Sequence, residues 1–228
     1  MGCAGKNTSF ALGDINMAIS RDAFVRWIQA FAAAIAGHKD YLTELDSAIG
    51  DADHGINLDR GFQAVLTKLP AIQDQDIGTI AKSVGMGLIS TVGGASGPLY
   101  GTLFLQIGLS AAGKVELGLA EWAAAFASGV EGVIRRGKAS LGDKTMVDSL
   151  LPAQEALQAA VSAGSSLPEA LGAAEKAAYE GMLRTVPMIA KKGRASYLGE
   201  RSIGAQDPGA TSAYLLVKTA ADTWGGAS

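Results

Sequence analysis

The chain has 228 residues, of which 48% are hydrophobic, and carries a formal net charge of −3. These values are typical of a globular protein with a substantial core, and they exclude a strongly basic nucleic-acid-binding protein. The single cysteine excludes an intrachain disulfide, and no apolar run approaches the roughly 18 residues of a membrane helix, so we expect a cytoplasmic protein without a membrane segment.

Hydrophobic periodicity predicts an all-α protein with eight helices and no strand. Residues 1–18 are small, polar and aperiodic, so we expect a loose extension followed by a single domain over residues 19–228. The helices are predicted over residues 20–36, 54–69, 76–91, 96–112, 117–136, 145–163, 167–189 and 207–223. Their lengths and short connections favour an antiparallel up-and-down array.

The most unusual stretch covers residues 45–57, where Asp46, Asp51 and Asp53 fall between two helical segments. Two glycines within the stretch favour a bent loop over a continuous helix, and in such a loop the three carboxylates can converge. Converging carboxylates repel one another unless a cation lies among them, and a set of oxygen ligands suits Mg²⁺ or Ca²⁺. The alternative is a polar turn whose aspartates cap the next helix.

Glycine-rich or charged junctions recur before every second predicted helix. In an up-and-down array these junctions all lie at one end, so we expect them to gather at one rim. Glycine loops that lead into helix N-termini present free backbone N–H groups and the positive end of the helix dipole, which suits phosphate. The junctions are the acidic stretch, Gly93–Pro98, Arg136–Met146 and Lys191–Arg201, the last ending at Asp207–Thr211.

Five ordered motifs carry a resemblance to a known family. They are Gly50-Asp-Ala-Asp-His-Gly55 with Asn57, Gly93-Gly-Ala-Ser-Gly-Pro98, Gly142-Asp-Lys-Thr-Met146, Gly193-Arg-Ala-Ser-Tyr-Leu-Gly-Glu-Arg201 and Asp207-Pro-Gly-Ala210. From about Met17 to its C-terminus the chain resembles the nucleotide-binding L subunit of dihydroxyacetone kinase, most of all that of the bacterial phosphotransferase-dependent enzyme.

The resemblance implies an eight-helix antiparallel up-and-down barrel with the nucleotide site at one rim. It also implies that Asp46, Asp51 and Asp53 hold two Mg²⁺ ions that bridge the nucleotide phosphates. For His54 a second interpretation stays open, in which the ring only orients the neighbouring carboxylates. The residues expected to contact ADP, or ATP, are His54, Asn57, Ala95, Ser96, Gly137, Met146, Arg194, Asp207, Pro208 and Gly209.

The resemblance further implies a kinase subunit that works with two partners. A K subunit would hold dihydroxyacetone, and a phosphohistidine-bearing phosphotransferase subunit would rephosphorylate ADP that stays bound to this chain. Two other functions remain open: an ATP-dependent kinase subunit for dihydroxyacetone or a related ketotriose or ketotetrose, and a non-catalytic ADP-loaded protein that binds a regulator. The oligomeric state is also open, a homodimer included.

The connection over residues 193–204 is long and polar, with glycine at both ends. Long connections of this kind are more often functional than inert. We expect it to close over the nucleotide, with Arg194 as the catalytic residue that neutralises phosphate charge. The alternative is an ordinary surface loop with a solvated basic face.

Overall fold

The computed structural model describes residues 18–226, which form nine α-helices, two very short β-strands and two 3-10 segments. The elements in chain order are β1 (Ile19–Ser20), α1 (Arg21–Gly37), α2 (Lys39–Ile49), α3 (His54–Lys68), α4 (Ile77–Thr91), α5 (Ser96–Ser110), β2 (Glu116–Leu117), α6 (Leu119–Gly137), α7 (Val147–Ala163), α8 (Leu167–Arg184) and α9 (Pro208–Trp224). The 3-10 segments are Leu69–Ala71 and Arg194–Ser202. Of the predicted extension over residues 1–18, all but the last residue lies outside the described residues.

Eight of the helices form a closed ring. From α3 to α9 each helix packs against the next one in the chain, α1 packs against both α9 and α3, and the ring is thereby complete. The predicted all-α barrel is confirmed. Helix α2 is additional: it lies beside the ring and contacts α3, α9 and the Arg194–Ser202 segment. The strands β1 and β2 pair antiparallel and tie the start of α1 to the start of α6.

A missed helix, two missed short strands and one helix boundary are the main differences from the prediction. Helix α2 was not predicted, because only His38 separates it from α1 and most of its residues are polar. The acidic stretch therefore begins within a helix, and Asp46 is helical. Helix α8 ends at Arg184, not at residue 189, since Pro187 disfavours helical geometry in the residue before it and cannot donate a backbone hydrogen bond.

A cluster of tryptophans fills one end of the barrel. The ring centroids of Trp27, Trp122 and Trp224 lie 4.9–5.5 Å apart, with Phe24 5.2 Å from Trp27. The buried indole N–H of Trp27 donates to the carbonyl of Leu216, so its polar atom is satisfied. Because Trp122 is near the start of α6 and Trp224 ends α9, the start of α9 and the end of α6 lie at the opposite rim.

Helices α4 and α5 pack unusually closely through facing glycines. A Cβ atom on Gly85 would lie 2.7 Å from the carbonyl oxygen of Gly101, and one on Gly108 would lie 2.7 Å from that of Gly78. Both distances are shorter than real contacts of a methyl group with oxygen, so only glycine permits this approach. Although α4 and α5 are very apolar, no helix in residues 18–226 is long and apolar enough to cross a membrane.

Candidate functional site

The rim opposite the tryptophans contains a cavity of about 450 Å³. It is lined by the first residues of α3, α5, α7 and α9, by the last residues of α2 and α6, and by the segment that begins at Lys192. The predicted gathering of the junctions at one rim is therefore seen. The predicted site residues that line the cavity are Asp46, Asp51, Asp53, His54, Ala95, Ser96, Gly137, Met146, Arg194, Asp207, Pro208 and Gly209.

Asn57 is the predicted site residue that does not line the cavity. It lies one turn further along α3 than His54, and its Oδ1 accepts a hydrogen bond of 2.8 Å from Nη2 of Arg60. Its buried amide packs under the backbone of Gly93, where a Cβ atom would lie only 3.2 Å from Nδ2. Asn57 therefore supports the loop that leads into α5.

The three carboxylates converge as predicted. One oxygen from each of Asp46, Asp51 and Asp53 lies within 4.8 Å of the others. Asp46 comes from α2, whereas Asp51 and Asp53 come from the four-residue junction between α2 and α3. In that junction Ala52 has a φ of 61°, a left-handed conformation that a residue with a Cβ adopts at a cost in free energy.

Asp46 also caps helix α3. Its Oδ2 accepts the backbone N–H groups of Asp53, at 2.9 Å, and of His54, at 3.1 Å. Asp53 occupies the N-cap position but makes no capping bond with its own side chain, so its carboxylate remains available for a ligand. The capping interpretation of the acidic stretch is therefore seen at Asp46, whose carboxylate also lies in the cluster, and the metal interpretation stays a prediction.

The donor set fits Mg²⁺. All ligand atoms are carboxylate oxygens, and three negative charges at such separations need a cation to offset their repulsion. In residues 18–226 the only ion pair that reaches these carboxylates is the one between Nε of Arg194 and Oδ2 of Asp51, at 2.9 Å. Both side chains are solvent-accessible, so this pair is weak and can be exchanged.

His54 joins the starts of three helices. Its Nδ1 lies 3.0 Å from Oγ of Ser96 and its Nε2 lies 2.9 Å from Oγ of Ser212. The hydroxyl of Tyr100 donates to the same Ser212 oxygen at 2.7 Å, and Ser212 donates to the carbonyl of Gly209 at 3.1 Å. This arrangement satisfies every group if Nε2 carries the proton and Nδ1 accepts from Ser96.

The environment keeps the His54 ring neutral. Burial lowers the pKa of His54 to about 4, although the nearby carboxylate of Asp46 opposes that shift. Both ring nitrogens are hydrogen-bonded to serine hydroxyls, so a contact with phosphate would require Ser96 or Ser212 to turn away. The predicted direct contact between His54 and the nucleotide stays a prediction.

The helix starts around the cavity supply backbone donors. Helices α5 and α7 begin after Ala95 and Met146, and neither residue makes a side-chain capping bond. The first turn of α5 thus offers N–H groups and the positive end of a helix dipole beside the carboxylate cluster. Asp207, in contrast, caps α9 through Ala210, and burial raises the pKa of its carboxyl to about 7.

Sequence reasoning missed three residues of the site. Tyr100 and Ser212 complete the His54 network, and Lys144 lines the cavity with a buried side chain. Lys144 and Ser212 lie within or just after two of the quoted motifs, so proximity to a motif was the available signal. Nothing in the sequence indicated that Tyr100 would contact Ser212, which lies 112 positions further along the chain.

Comparisons with known proteins show the family of this chain. The DAK2 domain family matches residues 48–222. The ADP-binding subunit DhaL of the PEP-dependent dihydroxyacetone kinase of Escherichia coli K12 is 49% identical over 89% of this chain and 96% of its own length. The corresponding subunit of the second such kinase of Listeria innocua is 46% identical over 83% of this chain and 88% of its own length.

A solved structure shares the fold. The native dihydroxyacetone kinase of C. freundii superposes with a TM-score of 0.69 at 24% identity, over 97% of this chain and 38% of that one. This likeness agrees with the all-α fold described above. The chain therefore belongs to the DAK2-domain family and is a kinase subunit of the dihydroxyacetone kinase L type.

Proposed function

We propose that this chain binds ADP with Mg²⁺ at the rim cavity and transfers a phosphoryl group from the bound nucleotide to dihydroxyacetone held on a separate K subunit. A phosphohistidine-bearing phosphotransferase subunit then rephosphorylates the ADP in place. The observation that carries the proposal is the cluster of three carboxylates beside the uncapped start of α5. The carboxylates suit a metal ion and the free N–H groups of the helix suit phosphate, and a metal–nucleotide complex needs both kinds of group close together.

Each group at the rim has a distinct task in this proposal. Asp46, Asp51 and Asp53 hold the metal, which when bound supplies charge neutralisation and alignment of the phosphates. The N–H groups at the start of α5 would bind phosphate oxygens, together with the hydroxyl of Ser96 if it turns away from His54. Arg194 pairs with Asp51 through an accessible ion pair that can be exchanged, and its guanidinium would then be available to neutralise phosphate charge.

The cavity orients the nucleotide along the rim. Met146 and Gly137 also line the cavity, where they would contact the base, and Asp207-Pro208-Gly209 at the start of α9 borders the same space. Phosphoryl transfer depends mainly on alignment and charge neutralisation, so the chain needs no covalent intermediate of its own. The K subunit would then bind the ketose, and the cavity of this chain would bind only the nucleotide.

The alternative function has support of its own. This chain is 34% identical, over 86% of its length, to part of the D-erythrulose kinase of Mycolicibacterium smegmatis, of which it covers 34%. The name of that relative supports the alternative in which the acceptor is a ketotetrose. In addition, the C. freundii kinase has been solved in complex with AMP-PNP and Mg²⁺.

The first experiment measures nucleotide binding and transfer in one preparation. The purified protein should release ADP on denaturation, as identified by mass spectrometry, and the emptied protein should bind ADP only weakly without Mg²⁺. Transfer to dihydroxyacetone on the K subunit should then require the phosphotransferase subunit and phosphoenolpyruvate. Turnover with ATP alone, at the same rate, would favour the alternative, and the absence of ADP and ATP binding would refute both.

The second experiment tests Arg194. Arg194→Ala should lower the transfer rate by about 100- to 1,000-fold, the usual effect of removing one group that stabilises transition-state charge. Arg201→Ala is the matched control, because Arg201 is exposed on the same segment and does not line the cavity. Equal rates for the two variants would remove Arg194 from the mechanism.

A further inference from the structure

Lys144 is a buried cation for which the proposed reaction has no task. Its side chain is 1% exposed, and its backbone is left-handed with a φ of 62°. The ammonium group donates to the carbonyls of Ser202 and Ala205, both at 2.6 Å, and to that of Met188 at 3.2 Å. All three N–H donors of the ammonium are therefore used.

The three carbonyls belong to the two ends of one segment. Residues 188–205 leave the end of α8, carry Arg194 over the cavity and return before α9, and Lys144 joins both ends to the start of α7. Ser202 strengthens the closure: its Oγ accepts from the N–H of Ala190 at 2.9 Å and donates to the carbonyl of Gly199 at 2.6 Å. The base of the segment is thus fixed by hydrogen bonds from Lys144 and Ser202.

The same segment packs on the carboxylate loop. Ala190 and Ala195 form a small buried cluster with Ile49, which directly precedes Gly50 at the end of α2. The neighbouring Arg194 reaches Asp51. A continuous chain of contacts therefore runs from Lys144 through the segment to one of the carboxylates.

Lys144 is itself held from both sides. The carboxylate of Asp148 accepts the backbone N–H groups of Thr145, at 2.7 Å, and of Gly142, which orders the turn around Lys144. Burial lowers the pKa of the Lys144 ammonium, and the negative charge of Asp207 opposes that shift. The turn thus presents a buried ammonium in one orientation, surrounded by carbonyl oxygens.

We propose that Lys144 is a positioning residue for the nucleotide site, which holds residues 188–205 so that Arg194 reaches the carboxylates and the nucleotide phosphates. The inference rests on the proposed function, because it assigns Arg194 its task there. The three N–H donors of Lys144 are used by backbone carbonyls and are not available for phosphate. Lys144 acts through the segment that it anchors, and its removal should displace Arg194 from the nucleotide site.

The test is a double-mutant cycle on ADP binding in the presence of Mg²⁺. Lys144→Met keeps the length of the side chain and removes its three hydrogen bonds, and it should raise the Kd for ADP by about 10- to 100-fold, as the loss of residues that orient a ligand group does elsewhere. In the wild type Arg194→Ala should raise the Kd as well. In the Lys144→Met background the same change should add less than about twofold, because Arg194 is no longer in place.

Controls separate positioning from folding. Lys191→Met removes an exposed lysine of the same segment, whose ammonium lies 3.7 Å from Asp143, and should leave the Kd unchanged. If Lys144→Met does not fold, Ser202→Ala loosens the same base and serves in its place. An Arg194→Ala effect of full size in the loosened background would overturn the proposal.

A hydrogen-exchange measurement tests the anchoring role of Lys144 independently of the proposed function. Without any nucleotide, Lys144→Met should increase exchange in residues 188–205 while α4 and α5 keep their protection. Unchanged exchange in residues 188–205 would refute the anchoring role. If the wild type bound no ADP, the proposed function would fail while this measurement still decided what Lys144 does.

Discussion

Gly50→Ala is a small change that should disable the carboxylate cluster. Gly50 ends α2 with φ −140° and ψ −137°, a backbone that does not lie in the left-handed region. The difficulty is space: a Cβ atom would fall on Oδ1 of Asp46, 2.9 Å from its Cγ. The carboxylate must therefore move away from the position in which it both caps α3 and faces Asp51 and Asp53.

The magnitude follows from the bonds that Asp46 loses. Its Oδ2 accepts the backbone N–H groups of Asp53 and His54, and loss of an N-cap typically costs about 0.5–2 kcal/mol. Replacing glycine by alanine also lowers the entropy of the unfolded chain, which offsets about 0.4–1 kcal/mol. We expect a net loss of about 1 kcal/mol in the free energy of unfolding of the metal-free protein. For Mg²⁺-dependent ADP binding we expect a loss of about 10- to 100-fold in affinity.

The assay pairs calorimetric titration of ADP with Mg²⁺ and urea unfolding of the emptied protein. Gly172→Ala is the matched control, since Gly172 is exposed within α8 and a Cβ atom there meets nothing within 4 Å. That variant should gain about 0.5–1 kcal/mol in stability and bind ADP normally. If Gly50→Ala bound ADP with wild-type affinity, the close approach of Gly50 to Asp46 would not matter, and the reasoning would be refuted.

Three further predictions concern the same rim. Asp53→Asn should abolish transfer while circular dichroism stays helical, because the Asp53 carboxylate makes no capping bond; near-normal turnover at ordinary Mg²⁺ would contradict its metal role. Asp207→Asn should remove a pH dependence of the free energy of unfolding. The pKa of the Asp207 carboxyl is about 7 in the folded protein and 3.8 in the unfolded chain, so the contribution of Asp207 to stability is lost as the pH rises through this range. The wild-type free energy of unfolding, relative to the variant, should therefore fall by about 2–3 kcal/mol from pH 5 to pH 8, and a flat difference in urea titrations would show the carboxyl to be unperturbed. Finally, ADP with Mg²⁺ should raise hydrogen-exchange protection within residues 193–204, mainly before Gly199, since the Ser202 end is already anchored; protection that did not change would exclude closure over the nucleotide.

Much of the secondary structure could be predicted from local patterns. Helix caps and apolar residues at helical spacing act within one or two turns, so they can be recognised in the sequence directly. Ser20 and Asp207 are examples of such caps. The exceptions have local causes as well. Helix α2 was missed because its residues are mostly polar and it follows α1 after a single residue, and α8 was extended past Pro187 because apolar residues continue beyond it.

The site was predicted less completely than the fold. The motifs contain most residues of the cavity, but they do not indicate what each side chain contacts. Asn57 lies under the Gly93 backbone, and the carboxylate of Asp46 caps α3 while it lies within the carboxylate cluster. Arg194 pairs with Asp51. These contacts join residues on different elements, and their partners could not be read from spacing alone.

The sequence by itself determined the helices, the polarity of their junctions and the residue types at the rim, because each depends on neighbours within a few positions. Only the tertiary structure decided which of these residues meet. Closure of the ring brings His54 to Ser212 and places the ammonium of Lys144 among three carbonyls. A buried polar group needs a hydrogen-bond partner, and the packing of the helices, not proximity in the sequence, decides which residue provides it.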